Sequence, residues 1–306
     1  MSVTSLIAAL KAFDATARAG TITTAARQLG LRQPTVSAHI IRLESEYGVE
    51  LFYRKGRRLE LTQFGNALLE HTQRLFSAEQ DAQLLLLAAK THYSGTLNLH
   101  AIGPHNITPI IKAYREQYPG VHISVTVGDS QSITKRILNY EGDIGLVLNE
   151  ITDPQIFCMP YRAQRLVIFA SASHPLVKRK AIHINDLNGE EFVMREQGSG
   201  TRKAFEDTLK SKSITIKTSV EMRSREAVRE AVIQGLGLGV VANTAYQPGP
   251  GLVLLNVEGF DAHTFTRLIC RVERRNSPLI ANFLQTAQLQ LNLALSCPGA
   301  ANTKKP

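Results

Sequence analysis

The sequence predicts a mixed fold: a small all-α unit at the N-terminus, one long helix, and a larger α/β remainder. Three observations carry this expectation. Residues 20–62 hold two short helical patterns followed by a basic hairpin. Residues 62–92 contain no proline and no glycine after Gly65, and helix formers dominate them. From Leu97 onward, short apolar strand patterns alternate with amphipathic helical ones, which argues for α/β layers with largely parallel sheets.

In the first segment, Thr23 or Thr24 is the expected N-cap of a helix with Ala25, Ala26 and Leu29 inward, small enough for close helix crossing. Gly30 ends it, because leaving a helix so abruptly needs a residue at ease with positive φ. Gln33 and Pro34 open a second helix, with the proline in the first turn, where its missing N–H costs nothing. Val36, Ile40, Leu43 and Tyr47 form its inward stripe. Thr35, Ser37, Ala38, His39 and Arg42 point away near the helix start, with no partner expected inside the unit. This is the build of a helix-turn-helix whose second helix enters the DNA major groove. The hairpin Leu51–Leu61 then reads as a wing. Leu51, Phe52, Leu59 and Leu61 hold it to the helices, Gly56 turns it, and four of the five residues from Arg54 to Arg58 are basic. Such a run is ordinarily a solvated face; directly after a helix-turn-helix it suits phosphate or minor-groove contacts. The expected DNA contacts are Gln33, Pro34, Thr35 and Ser37 at base edges, Arg32, His39 and Arg42 beside them, and Arg54 and Arg57 on the wing.

Composition bounds the alternatives. With 306 residues and 43% hydrophobic content, the chain is long enough for two or three units with real cores. No apolar run approaches the roughly 20 residues of a membrane helix, and the start lacks the basic and apolar regions of a signal peptide. A cytoplasmic protein is expected. The net charge of +9 favours polyanions. Cys158, Cys270 and Cys297 show no paired spacing, and the nine histidines form no metal-ligand pattern, so neither a metal nor a resident cofactor is expected.

Residues 1–62 are read as the DNA-binding unit and 63–93 as a linker helix. In the latter, Phe64, Leu68, His71, Leu75, Ala78, Ala82, Leu85 and Ala89 alternate four and three apart. A projecting helix cannot bury that seam alone, so a second copy of the chain is the expected partner. Tyr93-Ser94-Gly95 breaks the helix, and residues 94–296 form the α/β part, ahead of a loose tail at 297–306. Within it, Gly235-Leu-Gly-Leu-Gly239 follows a helix and precedes a strand, the reverse of a dinucleotide fingerprint, so close packing is its expected role.

Four strand-to-helix loops gather polar groups: Gly103 to Asn106, Gly128 to Ser132, Arg195 to Arg202, and Arg223 to Arg225. Helix N-termini offer free N–H groups and a positive dipole end, and arginine pairs oxyanions. The expected ligand is therefore a small anion. Its candidate contacts are Gly103, His105, Asn106, Asp129, Ser130, Arg195, Ser199, Thr201, Arg202 and Arg225. For any one of them, a helix cap or a solvated charge is nearly as good a reading; convergence of the loops favours the ligand. Asp129 or Glu196 would pair an amine on a zwitterionic ligand.

Over the first 65 residues, Phe13, Ala25-Ala26, Leu29, Gln33-Pro34, Val36-Ser37, Ile40, Leu43-Glu44, Gly48, Leu51-Phe52, Arg54, Arg57, Leu61-Thr62 and Gly65 sit at the spacings of the LysR-type transcriptional regulators, which the chain resembles. Arg32 and Ala38 depart from the usual pattern, Ala38 removing one common base contact. The resemblance implies a linker helix that dimerises, a dimer or tetramer, and a two-lobed effector domain like a periplasmic binding protein. It places lobe I at about 94–165 plus 270–295, lobe II at 166–269, and crossing strands near Leu166–Phe169 and Leu268–Val272. It also implies a small-molecule co-inducer, with RNA polymerase a further candidate partner. The motifs at Gly103-Pro104-His105, Arg195 to Arg202 and Ser224 to Val232 are similar to those of regulators associated with 2-aminoethylphosphonate catabolism. The competing expectation, a small-molecule-binding protein or enzyme carrying an accessory helix-turn-helix, lacks a catalytic constellation in the sequence.

Overall fold

The computed structural model describes residues 2–55, 58–88, 93–148 and 151–296. The chain divides into two compact units, Met1–Gln83 and Leu84–Pro306.

In the first unit, helices α1 (Val3–Ala19), α2 (Ile22–Leu29) and α3 (Gln33–Tyr47) are followed by strands β1 (Phe52–Lys55) and β2 (Arg58–Leu61), then α4 (Gln63–Ala88). The cap of α2 is Thr21, whose side chain accepts from the Thr24 backbone, so the helix starts ahead of the threonines expected to cap it. Gly30 leaves the helix at φ 66°, in the left-handed region. Ala12, Ala25, Ala26, Val36 and Ile40 pack at the crossing of the three helices, with Leu29 half-buried beside them. Tyr47, expected inside, is 55% exposed, because α3 ends there and its last turn overhangs the core. β1 and β2 pair antiparallel from Phe52 opposite Leu61 to Lys55 opposite Arg58. The expected turn at Gly56 lies outside the described residues, as do Ala89 of the seam and the tail at 297–306.

The second unit comprises β3 (Gly95–Ala101), α5 (Pro104–Gln117), β4 (Val121–Val127), α6 (Ser130–Leu138), β5 (Ile144–Val147), β6 (Ile156–Ser171), β7 (Ile182–His183), β8 (Glu191–Arg195), α7 (Gly200–Ser211), β9 (Lys217–Met222), α8 (Arg225–Ile233), β10 (Gly239–Ala242), β11 (Leu252–Leu255), β12 (Val257–Glu258), β13 (His263–Arg271) and α9 (Pro278–Ser296). One sheet runs β10-β6-β13-β5-β3-β4, with β11 also on β6. The 16-residue β6 serves two cores. Tyr161 and, across the ladder, Leu268 and Cys270 belong to the core of the first lobe; Leu166, Ile168 and Ala170 belong to that of the second.

β3, β4 and β5 are parallel, as are β8 and β9, but every pairing made by β6 and β13 is antiparallel. The sheets are thus mixed and not largely parallel. The two crossing strands account for the difference, since the chain passes up one and down the other. Both crossings fall earlier than Leu166–Phe169 and Leu268–Val272, since Leu166 and Ile168 are already in the second core and Leu268 and Cys270 in the first; the ladder shifts register between Thr266 and Arg267, opposite Arg162 and Pro160. Proline has no N–H to give the ladder, which fits a bulge there. Gly239 lies against the Phe169 ring and Gly237 against the Glu191 backbone, which is close packing and leaves no phosphate loop.

Candidate functional site

The start of α3 presents an unused polar surface. Arg32, Gln33, Pro34 and Thr35 are exposed, Ser37 and His39 half-buried, and Ala38 exposed between them. Arg32 stands at the N-cap without a side-chain cap bond, and the ion pair of Arg42 with Glu46 is loose, at 3.9 Å. Val36, Ile40 and Leu43 anchor the opposite face. Arg54 lies on β1 with Leu59 as its register partner, and Arg57 lies outside the described residues.

α4 turns its polar side inward. Thr72, Gln73 and Ser77 are buried; Thr72 donates to Asp14 and Lys11 pairs with Glu79 at 2.8 Å. Lys11 also lies over the Phe76 ring, 5.5 Å from its centre. The apolar seam is left outside: Phe64 is 52% exposed, Leu75 41% and Leu85 63%. Leu68 is the exception, half-buried against Phe13, Leu43 and Leu51. Leu75→Asp is therefore the cleaner probe of self-association. It is expected to shift the sedimenting species toward monomer, since an unpaired charge is not accommodated in an apolar seam. Unaltered dimers would assign association elsewhere.

In the second unit, the four polar loops line one cleft of about 590 Å³. Gly103, Asp129, Arg195 and Arg225 are on its wall, joined by Gln131, Glu221, Arg223 and Glu226. Arg195 is bound bidentately to Glu196, both contacts at 2.7 Å. Burial pushes the Glu196 carboxyl up, but the bonds and charge from Arg195 outweigh it and hold it below its ordinary range. Asp129 caps α6 by accepting from Ser132, which likewise keeps it ionised. Arg225 crosses between lobes and donates from Nη1 to the Ile102 carbonyl at 3.0 Å. It lies so close to Gly103 that a Cβ there would collide with Nη1, so the glycine makes room for the guanidinium. Among the described residues no carboxylate forms an ion pair with Arg225, and burial followed by the charge of Arg195 lowers its pKa. Of the arginines expected here, Arg225 is the one whose charge remains available.

The other expected contacts are placed differently. His105 and Thr201 line a narrow hollow of about 30 Å³ that shares Arg195, Arg225 and Glu226 with the cleft. Burial, then the charge of Arg225, lowers the His105 pKa. Ser130 is buried and accepts from the Leu148 backbone. Ser199 caps α7 without a side-chain bond and is buried. Arg202 is 8% exposed and donates to Glu206, Glu221 and the Arg195 carbonyl, so its charge is spent inside the second lobe. Asn106 is buried and accepts from Gln164. Glu226 was not signalled in the sequence, where it reads as an ordinary first-turn acid of α8.

Asp129, Glu196 and Glu273 are all held below their ordinary range, and His105 below that of imidazole. For each, the unfolded chain binds more protons, so stability falls as pH is lowered. The His105 contribution is expected to weaken below its ordinary pKa near 6.5, the carboxylate contributions on going down through their ordinary range near 4. A thermal-melt series from pH 7 to pH 3 checks the sign; a rising melting temperature would contradict it.

A winged helix-turn-helix with an unused recognition surface, followed by a two-lobed α/β unit with a charged cleft, defines the class of ligand-responsive DNA-binding regulators. The family profile described as "Bacterial regulatory helix-turn-helix protein, lysR family" matches residues 7–66, and that described as "LysR substrate binding domain" matches residues 90–291. The chain is 33% identical to the HTH-type transcriptional activator CmpR of Synechocystis, over 89% of this chain and 91% of that protein. Full-length CbnR, solved with its target DNA, superposes with a TM-score of 0.67 at 21% identity, covering 92% of this chain and 99% of that one. The regulatory domain of CcmR from Synechocystis, solved with 2-PG, gives 0.59 at 25% identity, covering 65% of this chain and 98% of that domain. The chain belongs to the LysR family of transcriptional regulators and is not an enzyme.

Proposed function

We propose that this regulator acts in the cytoplasm as a dimer, or a tetramer built from dimers, and reads a small anion in the cleft between its lobes. The observation that carries the reading is Arg225, a half-buried guanidinium without a carboxylate partner among the described residues, held at the junction of both lobes. CcmR was solved with 2-PG in its regulatory domain, which supports a small ligand in this unit. Asp129, Glu196 and Glu226 nearby add negative charge, which favours a ligand that carries an amine as well as an oxyanion. An aminophosphonate is one member of that class. The case for it rests on motif likeness at the loops alone, and none of the relatives above is named for phosphonates. The direct test is calorimetry on the full chain with 2-PG, 2-aminoethylphosphonate, sulfate and simple carboxylates. Failure of all of them to bind would remove the anion reading. No described helix is long and apolar enough to cross a membrane.

On the DNA side, the proposed base contacts are Gln33, Pro34, Thr35 and Ser37, supported by Arg32, His39 and Arg42, with Arg54 and Arg57 on phosphate or in the minor groove. A glutamine can pair bidentately with adenine, worth roughly 1–3 kcal/mol of discrimination. Gln33→Ala is expected to weaken binding to the DNA beside the protein's own gene while sparing random DNA. Equal losses on both in mobility-shift titrations would make Gln33 a backbone contact. RNA polymerase is a further proposed partner at the promoter.

A further inference from the structure

We propose that Gln164 is the positioning residue that sets the resting angle between the lobes, and that Thr264 is its alternative partner when that angle changes. This deepens the reading of the cleft as an effector site and rests on it. Gln164 sits on β6 in the stretch between the two cores, and is 2% exposed. Its Nε2 donates at 2.6 Å to Asn106 Oδ1, on the first turn of α5 in lobe I. The same nitrogen donates at 2.6 Å to Thr244 Oγ1, in the turn after β10 in lobe II. One carboxamide thus bonds both lobes from the strand about which they would pivot. An amide N has only two hydrogens, so both are spent in this arrangement.

Thr264 is the register partner of Gln164 on β13, and side chains directly opposite in an antiparallel pair share one face. Its hydroxyl is buried and has no hydrogen-bond partner among the described residues. A buried orphan hydroxyl is costly, and is relieved if Gln164 releases Thr244, which is half-buried and can turn to water, and donates to Thr264 instead. The pair therefore has the two discrete arrangements that coupling between a ligand and a lobe angle requires. Gln164 touches no wall of the cleft, so its role is to position the lobes and not to hold ligand.

The test reads the interlobe distance in the full chain without ligand. Nitroxide-bearing residues are introduced at positions 112 and 210, exposed on α5 and α7, and diluted with unlabelled chain so that only intramolecular distances count. Thr244→Val removes one bond and is expected to raise the share of a second distance about fivefold; Gln164→Leu removes both and raises it further. Thr264→Val removes both the orphan and the alternative partner, and is expected to lower that share. A general loss of stability would not give opposite signs in the two threonine variants. An unchanged distribution in Thr244→Val overturns the proposal even if Gln164→Leu does not fold, as does a Thr264→Val shift in the same direction as Thr244→Val. Since no ligand is present, failure of the anion panel leaves this result standing, and the reverse also holds.

Discussion

Arg225→Ala is expected to weaken anion binding to the cleft by roughly 2–5 kcal/mol, the range for truncating one side of a desolvated charge pair. That is a loss of more than tenfold in affinity at the lower bound. The size follows from the surroundings: Arg195 is already held by Glu196, and Arg202 by Glu206 and Glu221, while Arg223 on the same wall is exposed and its charge is screened by water. Arg225→Lys keeps a charge but loses the planar fork, and should recover only part of the affinity. Calorimetry on both variants with whichever anion binds the wild type checks this. Full affinity in Arg225→Ala would move the oxyanion to another part of the cleft. Arg202→Ala, by contrast, is expected to act mainly on the stability of lobe II, because its donors tie α7 to β9 and to the end of β8.

Asp143→Ala should cost about 3–5 kcal/mol of stability in lobe I, since it takes a buried carboxylate away from a buried cation. Asp143 is 6% exposed and pairs with Arg274, itself equally hidden, while its second oxygen accepts from the backbone and side chain of Asn98. A single carboxylate thus joins the start of β5, the middle of β3 and the turn after β13. Denaturant unfolding would measure the loss, and a change within about 0.5 kcal/mol would show that water reaches Arg274 in the variant. Replacing both residues by apolar ones of similar size is expected to cost far less than either single change.

The N-terminal unit was legible because its rules are local. Ala25 and Ala26 at a crossing, Gly30 at a helix end, and Pro34 in a first turn each depend on residues within one or two turns. Even there, the cap moved to Thr21 and Tyr47 came out exposed, since helix ends are set by tertiary context as much as by propensity. In the second unit, the loops that gather at the cleft could be placed by strand and helix order. Which side chain stays available there could not. Arg202 and Arg225 are alike in sequence, each in the first turn of a helix, but Glu221 lies 19 residues from Arg202 and claims it. Likewise the partners of Gln164 are 58 and 80 residues away, and no local pattern distinguishes it from any polar residue in a strand. The mixed strand directions trace to β6 and β13, whose shared passage between lobes is a property of the whole chain.

The inside-out character of α4 also bears on how much of this protein a cell must hold. With threonine, glutamine and serine turned toward its own unit and phenylalanine and leucine turned outward, a lone chain carries a surface that water disfavours. If pairing covers that surface, recognition helices reach DNA two at a time, and a site with two half-sites gains from both at once. Well below the concentration at which chains pair, the number of pairs rises as the square of the number of chains. Halving synthesis would then cut the available readers of a paired site to a quarter. The promoter's sensitivity to the regulator's own abundance would thus be written into one face of one helix.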